Sequence, residues 1–463
     1  MFQSTRSALR HHLEGLRHNP ALLFAGLLDP QWVVQALAEE NARWKDGGVY
    51  SPCLTLWTFL QQVLDPDHSC RAAIARLAAL LVARGEPACS PQTGPYCKAR
   101  QRLPGGVLSR LTRRVGRNLQ HQADPTWLYK RRHVQIIDGT TVSMPDTQKN
   151  QRAFPQNPVQ KPGLGFPIAR LVAIISLATG AVADVAIGPY QGKQTGETAL
   201  LRGLCDQMAA GQIALGDRGF ASFFGIAMLL QRGVDGVFRM HQCRRVDFRR
   251  GRRLGVLDHL VEWPRPARPD WMDQATYDQM PERLLIRELR VKIEQVGFRV
   301  EELVLATTLI DATQDTKEEV AGLYLQRWQI ELDLRSIKVE MQMEVLRCQT
   351  PEMVEKEVWA HLLAYNVIRM EMSRSALAAG ARPRQLSFRG AMQTMRAFDE
   401  GVRAASGADR RDLIAARRRA IAGHRVGQRP GRCEPRAKKR RPKQQRLLTK
   451  PRTEARKALM GNT

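Results

Sequence analysis

Three carboxylates and a small set of cations carry this chain's clearest capacity for chemistry. Asp138 closes a short β-branched run within HVQIIDGTTV, Asp217 closes the run that opens QIALGDRGF, and Glu331 stands in LYLQRWQIELDLRSIK, residues 323–338. Taken alone, an Asp before Gly ordinarily shapes a turn, and a Glu among cations ordinarily makes a surface ion pair worth under about 1 kcal/mol. Their joint occurrence points elsewhere. Two strand-end aspartates and a helix-borne glutamate give a mixed sheet the hard oxygen ligands for one or two Mg²⁺ or Mn²⁺ ions. Two such ions, about 4 Å apart, suit phosphodiester hydrolysis and transfer.

The element around Glu331 reads as one amphipathic helix. No Gly or Pro interrupts residues 323–338, and Leu323, Ile330, Leu334 and Ile337 recur at helical spacing. On an ideal helix, Tyr324, Arg327, Glu331 and Lys338 fall within roughly 60° of arc. One face then presents a carboxylate flanked by two cations and a phenol, which suits a metal ion held beside a phosphodiester.

The elements that must position these residues follow in order. Strands are expected at 133–138, 168–178 and 181–187, a helix at 196–210 with Thr195 as N-cap, a strand at 212–217, a helix at 222–231 and a strand at 235–240. If the strands bearing Asp138 and Asp217 are parallel neighbours, both carboxylates emerge at one rim. Residues 241–312 read as a β-rich insertion, opened by six arginines between 244 and 253 and interrupted by Pro264, Pro266 and Pro269. A helix from 315 to 348 and a second one from Pro351 follow.

The chain divides by this reading into a helical, DNA-binding region at 1–130, a catalytic domain at 131–375, and a helical and basic region at 376–463. Formal net charge is +27 with a pI near 10.5, which favours a polyanionic partner, nucleic acid before membrane. From Arg410 onward 19 Lys/Arg face 3 Asp/Glu, and the stretch past Gly427 reads as mostly disordered. The longest largely apolar run, 171–178, is too short to span a bilayer, so a cytoplasmic protein is expected. Eight scattered cysteines lack zinc spacing and read as reduced thiols.

The spacing Tyr324-x2-Arg327-x3-Glu331-x6-Lys338 resembles the YREK signature of the insertion sequence 4 family of bacterial DDE transposases, and IIDGTTV and ALGDRGF resemble its two aspartate regions. The resemblance spans about residues 130–370. It implies an α/β protein with a ribonuclease-H-like mixed-sheet catalytic domain, in which Asp138, Asp217 and Glu331 ligate the metals, Mg²⁺ or Mn²⁺. Tyr324, Arg327 and Lys338 would grip DNA phosphates, and Trp328, or Trp263 or Trp271 in the insertion, would stack on a flipped base. Cut-and-paste transposition through a DNA hairpin is implied, with terminal inverted repeats and target DNA as partners, a homodimer in the synaptic complex, and a bacterial, nucleoid-associated location. Two rivals are a ribonuclease-H-like nuclease without strand transfer and an inactive DNA-binding regulator.

Overall fold

The computed structural model describes residues 27–42, 48–83, 85–292, 302–427 and 447–460. The chain forms two compact units, each discontinuous in sequence.

The first unit comprises residues 1–131, 175–184 and 331–426 and is mostly helical. Its long helix, Pro351–Ala378, begins where Thr350 caps it and Pro351 fills the first turn, a position that tolerates a missing N–H. This helix is buried on nearly every side, so its polar residues must find partners inside the protein. Asn366 meets that demand: its amide accepts from Val182 N at 2.8 Å and donates to the Val182 and Thr112 carbonyls at 2.8 and 3.1 Å. Glu371, fully buried, receives Arg417 at 2.8 Å and Arg418 at 3.1 Å. Around the long helix pack Pro52–Leu64, Gly105–His121 and Gly407–Gly423.

The second unit comprises residues 132–174, 185–330 and 427–463. Its strands belong to a nine-stranded sheet of order β3-β2-β1-β4-β5-β9-β8-β7-β6 among the described residues. In chain order these are β1 (Val134–Ser143), β2 (Ile168–Ser176), β3 (Val182–Pro189), β4 (Ile213–Gly216), β5 (Asp235–Arg239), β6 (Arg252–Gly255), β7 (Asp258–Pro264), β8 (Arg283–Lys292) and β9 (Glu302–Thr307). The tip of β2–β3, residues 175–184, is grouped with the first unit. β1, β4 and β5 run parallel, while β9, β8, β7 and β6 continue antiparallel from β5. The apolar runs supply fully buried residues such as Ile136, Leu215, Val237 and Leu305. Mixed strand directions with helical crossovers are the expected ribonuclease-H-like α/β architecture.

Several expectations need correction. β1 does not stop at Asp138 but runs on to Ser143, because Thr140, Thr141 and Val142 are β-branched and favour extended backbone. The helix expected at 196–210 is only Glu197–Arg202, capped by Gly196 rather than Thr195, followed by a short 3₁₀ turn at Cys205–Gln207. The β-rich insertion extends the main sheet, since β9 pairs with β5 and carries β8, β7 and β6 outward on the same sheet. Residues 293–301, which follow β8 and precede β9 in the chain, lie outside the described residues, as do residues 428–446 of the basic tail. Within the tail, Arg452–Met460 is helical. Among the described residues no helix is long and apolar enough to cross a membrane, and no disulfide joins the described cysteines.

Candidate active site

The pairing of β1 with β4 sets the geometry of the two aspartates. Ile136 stands opposite Leu215, so continuing the same parallel register by two residues brings Asp138 level with Asp217. Two residues preserve the face, because side chains alternate along a strand. Neighbouring strands lie about 4.8 Å apart, so the two carboxyl groups share one neighbourhood. β4 ends at Gly216, and Asp217 caps a 3₁₀ turn, Arg218–Phe220, by accepting from Gly219 N at 2.8 Å.

Asp138 accepts from its neighbour's backbone, Gly139 N, at 2.8 Å through Oδ1. Its Oδ2 lies 3.4 Å from Arg327 Nη1, a long contact between two groups that are each about one-fifth exposed. Burial pushes the Asp138 carboxyl up to about 6; the Gly139 N–H and Arg327 pull it back, and the negative charges of Asp217 and Glu197 add to the rise. Guanidiniums face this group as well, Arg327 beside Asp138 and Arg170 within electrostatic reach of Glu197. The carboxylates are hard oxygen donors of the kind a divalent cation takes.

Tyr324 and Arg327 belong to the same neighbourhood. Tyr324 is buried, and burial raises its phenol while Arg327 and Arg239, at the end of β5, oppose the rise. Arg239 carried no sequence signal beyond a lone cation at a strand end. Trp328 is 43% exposed, so it is not the core residue its helical phase could have made it. Trp263 proves unsuited to stacking on a base: it is 2% exposed, donates to Glu288 Oε1 at 2.8 Å, and lies under the Arg244 guanidinium at 3.7 Å. Trp271 likewise has Arg202 at 3.9 Å over its ring and Phe224 at its edge.

The signature segment is not one regular helix. Tyr324 ends an α-helix, Lys317–Leu325; Arg327 sits in a 3₁₀ turn, Gln326–Trp328; Glu331 opens an α-helix, Gln329–Arg335; and Lys338 lies in a π segment, Ser336–Glu340. The tight turn overwinds and the π turn underwinds, so the ideal 100° step that placed four residues on one arc does not hold. Tertiary anchors explain the departure, because Arg327 is drawn to Asp138 and Asp333 to buried arginines. Such irregular turns recur at functional sites.

Asp138, Asp217, Tyr324 and Arg327 thus gather in the second unit, whereas Glu331 and Lys338 open the closing segment of the first. Glu331 is half-buried, and Lys338 Nζ lies 4.0 Å from Glu344. Among the described residues no three His, Cys, Asp or Glu side chains converge closely enough to hold a metal ion. Glu197, the first residue of the helix Glu197–Arg202, carried no signal in the sequence that set it near Asp138. Its carboxylate lies against Gly139: a Cβ on that glycine would stand 2.2 Å from Glu197 Oε1.

Residues 129–367 match the family described as the transposase DDE domain. Over 384 residues the chain is 28% identical to the transposase InsG for insertion sequence element IS4 of Escherichia coli (strain K12), covering 80% of this chain and 81% of that protein. Among solved structures it is similar, at 10% identity, to the piggyBac transposase in a cryo-EM synaptic complex with hairpin DNA. That match covers 88% of this chain and 87% of the other with a TM-score of 0.42, an overlap too loose to carry an argument. The chain belongs to the family of transposases with a DDE domain, enzymes that use divalent metal ions to cleave DNA and transfer its strands.

Proposed function

We propose that this transposase excises its own element and reinserts it by a cut-and-paste route through a DNA hairpin, with Asp138, Asp217 and Glu331 as the ligands of two Mg²⁺ ions, for which Mn²⁺ can substitute. The observation that carries the reading is the parallel register of β1 and β4, Ile136 opposite Leu215, which continued by two residues sets Asp138 beside Asp217. When bound, the ions would activate the attacking water or 3′-hydroxyl and stabilise the leaving oxygen.

The protein's own groups do the rest. Arg327, 3.4 Å from Asp138, brings to the site a guanidinium fork suited to phosphate oxygens, with the buried Tyr324 beside it. Lys338 adds a point charge to the phosphate grip. Trp328, exposed beside Arg327, offers a face for a base turned out of the duplex. The basic helices before residue 131 read the terminal inverted repeats, and a homodimer synapses the two ends in the cytoplasm, on nucleoid DNA.

Asp217→Asn tests the assignment. With DNA carrying the element's terminal repeats and Mg²⁺, the variant should bind with near-normal affinity yet lose cleavage and strand joining to a target plasmid. Excision at the normal rate by that variant would overturn the site.

A further inference from the structure

We propose that Cys70 and Cys97 form a redox-active dithiol, which a hydroperoxide closes to a disulfide that staples two helices of the first unit. The observation is a contact between sulfurs distant in sequence. Cys70 opens the helix Cys70–Ala83 and Cys97 lies in the helix Thr93–Arg102, and their Sγ atoms stand 3.8 Å apart. Both thiols are free and only partly buried. A disulfide bond of about 2.05 Å needs the sulfurs to close by about 2 Å, within reach of side-chain rotation. The bond would fasten the edge of a small core made by Tyr50, Ile74, Leu77, Leu81, Tyr96 and Ala99, against which Cys70 packs.

The surroundings suit a negative sulfur. Arg100 Nη2 donates to Cys70 Sγ at 3.2 Å and reaches Cys97 Sγ at 3.8 Å, while Gln62 Nε2 donates to Cys70 Sγ at 3.6 Å. Arg100 is 8% exposed, and among the described residues no carboxylate pairs with it. Its other contacts are the Gln62 amide oxygen at 3.1 Å and the rings of Phe59 and Tyr96, and its Nε has no partner there. A buried guanidinium without a counter-ion is costly, and a thiolate formed beside it offsets that cost. Burial raises the Cys70 thiol and Arg100 opposes the rise, so the resting form is the dithiol. In the reaction Cys70 gives up its proton and its sulfur attacks one peroxide oxygen; the O–O bond breaks and water leaves, giving a sulfenic acid. The Cys97 sulfur then attacks Cys70 Sγ, the S–O bond breaks, and the departing hydroxide takes the Cys97 proton as a second water. Two electrons pass from the two sulfurs to the peroxide.

The test is peptide mapping by mass spectrometry of the full native chain, alkylated without reduction, before and after treatment with hydrogen peroxide. Wild type should yield a peptide joining Cys70 to Cys97 after treatment, and dithiothreitol should abolish it. Cys97→Ser should lose the joined peptide and carry oxygen on Cys70 instead, because no second thiol resolves the sulfenic acid. Tm of the oxidised wild type should exceed that of the same sample after dithiothreitol by about 5 °C or more, a comparison that leaves methionine oxidation equal on both sides. Full alkylation of both cysteines after peroxide, oxygen on Cys70 of the wild type without a joined peptide, or Cys70 joined to Cys348 instead would each overturn the inference. A joined peptide with unchanged Tm would overturn the staple.

Discussion

Asp333 offers the sharpest test of how the signature segment is held. It is fully buried, two residues beyond Glu331, and its Oδ1 takes an ion pair from Arg369 while its Oδ2 lies 2.5 Å from Arg384 Nη1. The Tyr365 hydroxyl stands 3.1 Å from Oδ1. Two residues along an α-helix is about 200°, so tying Asp333 inward turns Glu331 away from this buried cluster. Asp333→Asn preserves shape and removes the charge, leaving two guanidiniums, 5% and 13% exposed, without their counter-ion. Breaking a buried pair from one side costs about 3–5 kcal/mol. Urea unfolding followed by far-UV circular dichroism should show that loss in the transition of the helical unit. A cycle with Arg369→Met should give a coupling above about 1 kcal/mol. A loss under about 1 kcal/mol with no coupling would refute the reasoning, because that is the scale of an exposed pair.

Two further predictions concern the site. Because the Asp138 carboxyl is raised to about 6, the folded protein binds a proton there that the unfolded chain releases near pH 4, so ionising it costs stability as pH rises from about 4 to 6. At about 1.4 kcal/mol per pH unit, Asp138→Asn should stabilise the protein in chelator by up to about 3 kcal/mol at pH 7 and by nothing near pH 4, read from melting at both pH values; destabilisation at pH 7 would contradict it. Trp328→Ala, at an exposed position, should change stability by no more than about 0.5 kcal/mol yet slow DNA hairpin formation on a pre-nicked end; unchanged hairpin kinetics would remove Trp328 from the mechanism.

The central strands were legible because buried parallel strands are written as short apolar β-branched runs, and the carboxylates closing two of them were conspicuous. What local pattern could not supply was set by contacts distant in sequence. The broken phase of residues 323–340 depends on Arg327 and Asp333 finding partners far along the chain. Trp263 looked available until β8 supplied Glu288 and the arginine run supplied Arg244. Glu197 sits on a helix of six residues, too short to announce a face, and only the fold laid it against Gly139. The insertion read correctly as β-rich, but that β9 would join β5 is a pairing no local pattern encodes.

The helix Gly105–His121 buries Val107, Leu111 and Val115, and its main neighbour is the helix Pro351–Ala378. Some 230 residues separate His121 from Pro351, so at about 5–20 residues per second a ribosome needs roughly 10–50 s to deliver the second helix after the first. During that interval the nascent chain carries an apolar stripe without its main native mate. Expression of this enzyme should accordingly lean on holdase chaperones, and fragments ending before residue 351 should precipitate.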